Sequence, residues 1–549
     1  MSSMITTTAW VRRGVAAQFP TKYEIDEEEM GRISKLARMQ LEDAQEGLSA
    51  AQDGKDGDDE DEAMDEGNEK ASEGAKENKD SKKGSGSGSK STEDDDVLKE
   101  FDLDTYDDDE IDEDGERATM FGNVQSLAYH QPNEEDPYLV IPEDEDKDEE
   151  REELQIMPTD NLLLAGKVED EVAHLEVYVY EDQADNLYVH HDIMLPGIPL
   201  CVEWLDVPVG GKPNEERTTG NFVAVGTMEP DIEIWDLDVV DSMYPNAILG
   251  QGGQDNGDSK PKKSKKKSKA NDEYHIDSIL ALAANRQHRN LLASASADRT
   301  VKLWDLNTTS CAKSYSHHTD KVCSLDWHPK ESTVLLSGSY DRTIVAADMR
   351  SPDSKARWGV DSDVENVRWD PHDPNYFYVT TDGGMVYRYD IRNAPATPAE
   401  SKPVWSLQAH DSSVSSFDIN RTIPGFLVTG STDKEVKLWN VENDKPSLVV
   451  SRKLDVGKVF STAFAPDPEV SFRLAVAGSK GTVQIWDAST NGAVRRTFVS
   501  RMPDLAGDVP ERILGVNDDE EESDDEGAAE GGEGAQADGP DGWESMDED

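Results

Sequence analysis

The amino-acid sequence predicts an all-β chain, a seven-bladed β-propeller with acidic extensions on either side, and three observations predict it. The first is a repeated strand. DRTVKLWDL, residues 298–306, alternates its side chains as a strand does, with Val301 and Leu303 on one face, and closes on Trp304 and Asp305. Related stretches are DIEIWDL (231–237), DRTIVAADM (341–349), MVYRYDI (385–391), EVKLWNV (435–441) and TVQIWDA (482–488), with a weaker copy in LEVYVYE (175–181). The second is spacing. With the place of Trp304 as the mark, the copies fall at Tyr180, Trp235, Trp304, Ala347, Tyr389, Trp439 and Trp486, at intervals of 55, 69, 43, 42, 50 and 47 residues. The third is what precedes each mark: a Ser/Gly-rich apolar strand such as LLASASA or FLVTGST, and before it a strand often ending in an aromatic, such as LCVEWLD, VCSLDWHP or ENVRWDP.

A period of about 40–45 residues with strands closing on Trp-Asp is that of the WD repeat, one four-stranded blade per repeat. The WD40 propeller is expected over residues 157–500. Residues 1–45 form an N-terminal arm with a short helix, 46–118 an acidic low-complexity segment, 119–156 an acidic lead-in and 501–549 an acidic tail. The helix is expected from Asp26, which with Glu29 makes a capping pair ahead of Met30, Ile33, Leu36, Ala37 and Leu41. YLVI, residues 138–141, offers a strand to the first blade, since a propeller must close its ring. A lysine-rich insertion at 250–271, after the apparent fourth strand NAIL, accounts for the longest interval.

Charge divides the chain in the same way. The net charge is −62, yet residues 42–117 carry 31 acidic and 9 basic side chains, residues 134–153 carry 12 and 2, and residues 518–549 carry 16 and none. Segments so charged bury too little apolar surface to offset the entropy of ordering, so they are expected to be disordered. The three cysteines, Cys201, Cys311 and Cys323, show no metal-ligand spacing and suit a reducing compartment. No apolar run reaches a membrane span, and the first 30 residues lack the core of a secretory signal. A soluble intracellular protein is expected, with no membrane partner and no small-molecule substrate.

Candidate sites follow from the repeats. His410, Thr429, Asp433 and Trp439 supply the hydrogen-bonded chain that a WD blade builds from a His before its first strand, a hydroxyl in its second, an Asp in the turn and the Trp of its third. A catalytic His-Asp reading fails, because these types recur as repeat positions and no nucleophile accompanies them. Blade four has His318 and Asp341 but Ala347 at the Trp place, so its chain is incomplete and it is expected to be the looser blade. The turns between second and third strands, with the loops between blades, gather Arg299, Lys321, Arg342, Lys434, Lys458 and Lys480 on one face. They read either as a basic surface for RNA phosphates or acidic segments, or as residues common after a turn Asp.

Outside the repeats, Trp10, Arg12, Arg13, Phe19 and Tyr23 either form a linear partner-binding arm or tuck against the chain's own propeller. Lys262, Lys263, Lys265, Lys266 and Lys267 read as a nuclear import signal, as a phosphate-binding patch, or as a solvated loop with no dedicated partner. Ser523 and Ser545 lie in acidic surroundings that an acidophilic kinase reads. No cofactor is expected, and no enzyme.

The regular Trp204, Trp235, Trp304, Trp327, Trp369, Trp439 and Trp486, with the opening AWVRRGVA and TKYEIDEEE, resembles the periodic tryptophan protein family over nearly the whole chain. Ala347 and Tyr389 depart from the pattern at the Trp position. The resemblance implies a non-enzymatic nucleolar scaffold in assembly of the large ribosomal subunit and rRNA processing. Its partners would be pre-60S particles, assembly factors, ribosomal proteins and pre-rRNA. The alternative is a nuclear histone-binding or chromatin-associated WD40 protein.

Overall fold

A computed structural model describes residues 3–23, 31, 151–152, 154–210, 219–250, 271–501 and 510–515. Seven four-stranded antiparallel sheets follow one another around a ring, each with its strands side by side in order from the central channel outward. In blades three to seven those four strands are consecutive in sequence; blade three runs Ile279–Ala284, Leu291–Ser296, Val301–Asp305, Ser310–Tyr315. All seven marks sit in third strands.

Alternation along these strands has a particular meaning, because both sheet faces are covered by neighbouring blades. In the second strand of blade one, Leu162 and Leu164 point to blade two while Leu163 and Ala165 point to blade seven. The core is accordingly seven apolar clusters, one per seam between blades. Each mark faces the preceding blade: Trp235 fills the seam of blades one and two, Trp304 that of two and three, Trp486 that of six and seven. The Ser/Gly-rich second strands are small where the next inner strand must approach. A Cβ on Gly338 would lie 2.7 Å from Val364 Cγ1, and one on Gly430 would lie 2.5 Å from Val459 Cγ1.

Blade one differs from the expectation. Its innermost strand is Ser3–Val11, in the N-terminal arm, paired antiparallel with Asn161–Glu169 so that Trp10 faces Leu163 and Val11 faces Leu162. The propeller thus begins at residue 3 rather than 157, and the first blade is split across the acidic segment. Sequence pattern hid this strand because its channel side is threonine rather than an apolar Ser/Gly run. Thr6 Oγ1 donates to the carbonyls of Gly166 and Pro199, and Thr8 shares a hydrogen bond of 2.7 Å with Ser461. The four places of blade one are filled without YLVI, which lies outside the described residues, as does the expected helix apart from Gly31.

The C-terminal boundary moves as well. Arg512–Gly515, assigned to the tail by composition, is the outer strand of blade seven, paired with Val483–Asp487. A short helix, Gly492–Phe498, capped by Asn491 and burying Val494 and Phe498, precedes it. Beyond Val11 the arm crosses to blade two, where Thr21–Lys22 pairs with Val239–Val240 and Ala17 N donates to Asp238 Oδ1 at 2.9 Å. Ile156 of the lead-in is buried in the seam of blades one and two. No helix among the described residues is long and apolar enough to cross a membrane.

Because Trp10 is buried between blades one and seven and its Nε1 donates to Ala463 O at 3.0 Å, Trp10→Ala is expected to lower unfolding stability by about 3–5 kcal/mol in urea titrations. A chain lacking residues 1–12 should lose its compact monomer peak in size-exclusion chromatography.

Candidate functional site

In blade six, Trp439 Nε1 donates to Thr429 Oγ1 at 2.9 Å, Thr429 meets His410 Nε2 at 2.8 Å, and His410 Nδ1 meets Asp433 at 2.9 Å. The imidazole is fully buried, so the chain Trp-Thr-His-Asp ties the second and third strands to the loop entering the blade, with no access for a substrate. Glu435 stands close enough to His410 and Asp433 for a three-ligand cation site, but it pairs with Lys437 at 3.3 Å while His410 spends both nitrogens on the chain. Blade three has the same chain, which the sequence reading passed over. Trp304 Nε1 donates to Ser294 Oγ at 2.8 Å, Ser294 meets His275 Nε2 at 2.7 Å, and His275 Nδ1 meets Asp298 at 2.8 Å. The signal was present: 29 residues separate His275 from Trp304, as they separate His410 from Trp439.

Blade four keeps a shortened chain. His318 meets Ser337 at 2.8 Å and Asp341 at 3.1 Å, and the Ser337 hydroxyl, lacking a Trp, reaches Val345 O at 3.4 Å. Ala347 leaves room at its seam, where Tyr315 is buried and donates to Met349 O at 2.5 Å. The Ser337 hydroxyl thus keeps partners for its own proton, but nothing there replaces the N–H that a Trp would donate to its oxygen, so the chain of blade four is one member short.

The six candidate cations lie at loops on one face. Arg299, Arg342 and Lys434 occupy left-handed turn positions with φ of 71, 62 and 70°, each after an Asp whose carboxylate accepts the N–H two residues on. Acids share the face. Arg342 pairs with Asp363 at 3.0 Å, Lys480 pairs with Asp455, and Lys321 follows Asp320. Among the described residues this face is therefore mixed in sign. Lys458 stands on it too, its N–H bonded to Ser479 Oγ. The insertion leaves there after the strand Ala247–Leu249 and returns at Asn271, whose carbonyl accepts from buried Lys302. Lys262, Lys263, Lys265, Lys266 and Lys267, like Ser523 and Ser545, lie outside the described residues.

The arm residues divide. Trp10 belongs to the core. The Arg13 Nε donates to Asn161 at 2.8 Å and its N–H to Asp467 at 3.1 Å, and Tyr23 N donates to Val240 O. This segment is built into the propeller, so a free linear motif is the wrong description of it. Arg12 alone of the five is exposed, and it lines the central channel.

That channel, about 1010 Å³, carries most of the charge that the sequence reading overlooked. Glu203, Asp326, Arg368 and Asp418 occupy equivalent places near the ends of four inner strands, each just before Trp204, Trp327, Trp369 or Ile419. The strands EWL, LDW, VRW and FDI show this position as the one charged residue ahead of a terminal apolar one. Three of the four stitch blades together: Glu203 accepts from Ala284 N at 3.2 Å, Asp326 from Trp369 N at 2.7 Å, Asp418 from Phe464 N at 2.8 Å. Lost solvation pushes the Asp326 carboxyl up to about 6 against the pull of Arg368, and raises Asp418 likewise.

The disc is a WD-repeat β-propeller. The WD domain, G-beta repeat family matches residues 269–305, 309–346 and 401–440, reaching into the third strands of blades three, four and six. The chain is 48% identical to an uncharacterized WD repeat-containing protein of Schizosaccharomyces pombe over 95% of its length and 97% of that protein. It is 38% identical to Periodic tryptophan protein 1 of Saccharomyces cerevisiae over 91% of both chains, and 32% identical to a Periodic tryptophan protein 1 homolog of Drosophila melanogaster over 68% of this chain and 77% of that one. It belongs to the periodic tryptophan protein 1 family.

The buried chains set a pH dependence. Burial lowers the His275 and His410 pKa values below the usual imidazole range, outweighing Asp298 and Asp433. A histidine with a depressed folded pKa resists protonation that the unfolded chain accepts. Its stabilisation is complete above about 6.5 and is lost as pH falls below that. Burial works to raise Asp298, but its bonds from His275 and Thr300 hold it down to about 2, so its contribution persists until pH falls through about 3.8 toward that value. The gap in urea unfolding free energy between the unaltered chain and His275→Asn should be about 1–3 kcal/mol at pH 7 and narrow toward pH 5.

Proposed function

We propose that this chain is a non-enzymatic scaffold of the nucleus and nucleolus that joins precursors of the large ribosomal subunit. There it gathers assembly factors, ribosomal proteins and pre-rRNA during subunit assembly and rRNA processing. The observation that carries the reading is kinship along nearly the whole chain with Periodic tryptophan protein 1, the family whose sequence resemblance implies that role. The geometry supports a scaffold. A closed ring of seven sheets is a rigid disc with two faces and a channel, the imidazoles of its His-Asp pairs are buried, and the sequence adds long charged segments to it. Lys262, Lys263, Lys265, Lys266 and Lys267 serve nuclear import in this reading. Phosphate on Ser523 and Ser545 would add negative charge to the acidic tail.

The test is a tagged purification from nuclear extract on a sucrose gradient, with RNA and protein identified. Co-migration with large-subunit precursors is expected; a small histone complex without pre-rRNA would overturn the reading and favour the chromatin-side alternative. Replacing the five lysines with alanine should shift a fluorescent fusion from nucleus to cytoplasm.

A further inference from the structure

Four guanidinium groups line the end of the channel where the loops between first and second strands open. Arg12 follows the inner strand of blade one, Arg286 and Arg421 follow those of blades three and six, and Arg368 lies within that of blade five. Elsewhere several arginines of the fold are ion-paired. Arg473 and Arg512 share Asp182 at 2.8 and 3.4 Å, Arg388 meets Asp370 at 3.2 Å, and Arg289 meets Asp206 at 2.8 Å. At the mouth only Arg286 is paired, with Glu203 at 2.7 Å. Among the described residues, no carboxylate lies within 4.0 Å of Arg12, Arg368 or Arg421. Arg368 turns instead to the carbonyls of Val367 and Leu325, at 3.1 and 3.4 Å. The nearby carboxylates of Asp326 and Asp418 accept from backbone N–H groups of the next blade. The cations feel one another: lost solvation holds Arg286 below its usual range, and Arg421 and Arg12 add to that against the pull of Glu203.

We propose that this mouth seats a single carboxylate of a protein partner, an Asp, Glu or C-terminal group on a segment flanked by basic residues. A guanidinium fork matches a carboxylate in two parallel hydrogen bonds, and three guanidinium groups without an ion pair line this mouth. The surrounding charge decides between a compact anion and a polyanion. Glu203, Asp206, Asp326 and Asp418 line the channel among the arginines, so negative charge on either side of the seated group would be repelled. A nucleic-acid strand carries a phosphate at every nucleotide and sets the neighbours of any seated phosphate against those carboxylates. A basic flank is attracted by them. This site rests on the channel alone and is independent of the ribosomal reading.

The experiment uses the full chain and three labelled probes in fluorescence anisotropy: a heptapeptide with a central glutamate between lysines, the same peptide with glutamine, and hexauridylate. Saturable binding of the glutamate peptide is expected, with at least tenfold weaker binding of the glutamine peptide. Arg421→Ala and Arg12→Ala should each weaken the glutamate peptide at least fivefold, while Lys434→Ala on the opposite face leaves it unchanged. The thermal midpoint of Arg421→Ala should stay level or rise, because an unpaired cation near Arg286 is removed. Equal affinity for both peptides, or failure of both to bind, would overturn the proposal. Hexauridylate binding that depends on Arg421 would make the mouth an RNA site. A midpoint lowered by several degrees in Arg421→Ala without peptide binding would reduce the arginines to internal charge balance.

Discussion

Everything in this disc depends on the seam where blade seven meets blade one. Each sheet is apolar on both faces, so each needs a neighbour on both sides, and a ring missing one contact would expose two such faces at once. The inner strand Ser3–Val11 makes that contact. It places Ile5 and Trp10 against Ala475, Val483 and Ile485 of blade seven, while Asn161 beside it bonds Asp467 at 2.8 Å. Toward the rim the seam turns polar. Asp182 of blade one is held by Arg473 and Arg512 of blade seven, and although burial works to raise its carboxyl, Arg473 and the Tyr180 hydroxyl bring it below the usual range. Apolar contact inside and paired charge outside hold this joint closed from the channel to the rim.

The same division of labour runs around the ring. Inner strands of neighbouring blades do not pair as a sheet, so their backbone groups are met by side chains across the gap: Ser324 accepts from Val367 N, Ser416 from Thr462 N and Ser461 from Thr8 N. Farther out, an aromatic side chain at six of the seven marks fills the seam, and blades three and six add a buried hydrogen-bonded chain from that Trp to the turn. Tyr180 and Tyr389 take the place of Trp in blades one and five. They keep the aromatic volume, and blade four, with Ala347, fills the space from its neighbour through Tyr315.

What was legible in the sequence was whatever repeats. The seven marks, the small second strands and the chain in blade six all follow from period and residue type. What was hidden lies in single copies or long separations. Ser3–Val11 pairs with a strand some 150 residues on and carries threonines where pattern looks for alternation. Arg512–Gly515 is four residues long and follows a helix that interrupts the blade. His275 belongs to DEYHIDS, next to the lysine-rich insertion and outside any apolar strand, so only its 29-residue interval to Trp304 marks it. The channel arginines come from three loops and a strand that look unrelated until the ring gathers them. Arg368 was the nearest to visible, because it stands where three other inner strands carry a carboxylate.

Splitting the first blade changes what the acidic segment is. Its charge marks it as an extension, yet its two ends are the inner strand and the second strand of one sheet, joined by eight register pairs from Ser3 facing Glu169 to Val11 facing Leu162. It is a loop closed at its base, not a tail. A protease that cut anywhere within it would leave two pieces still bound to each other along a full strand and a buried tryptophan, so a nicked chain would keep its disc and migrate as one particle under native conditions. The cut would become visible only in denaturant, and the ring would tolerate great variation in the length of that loop without any change in its own closure.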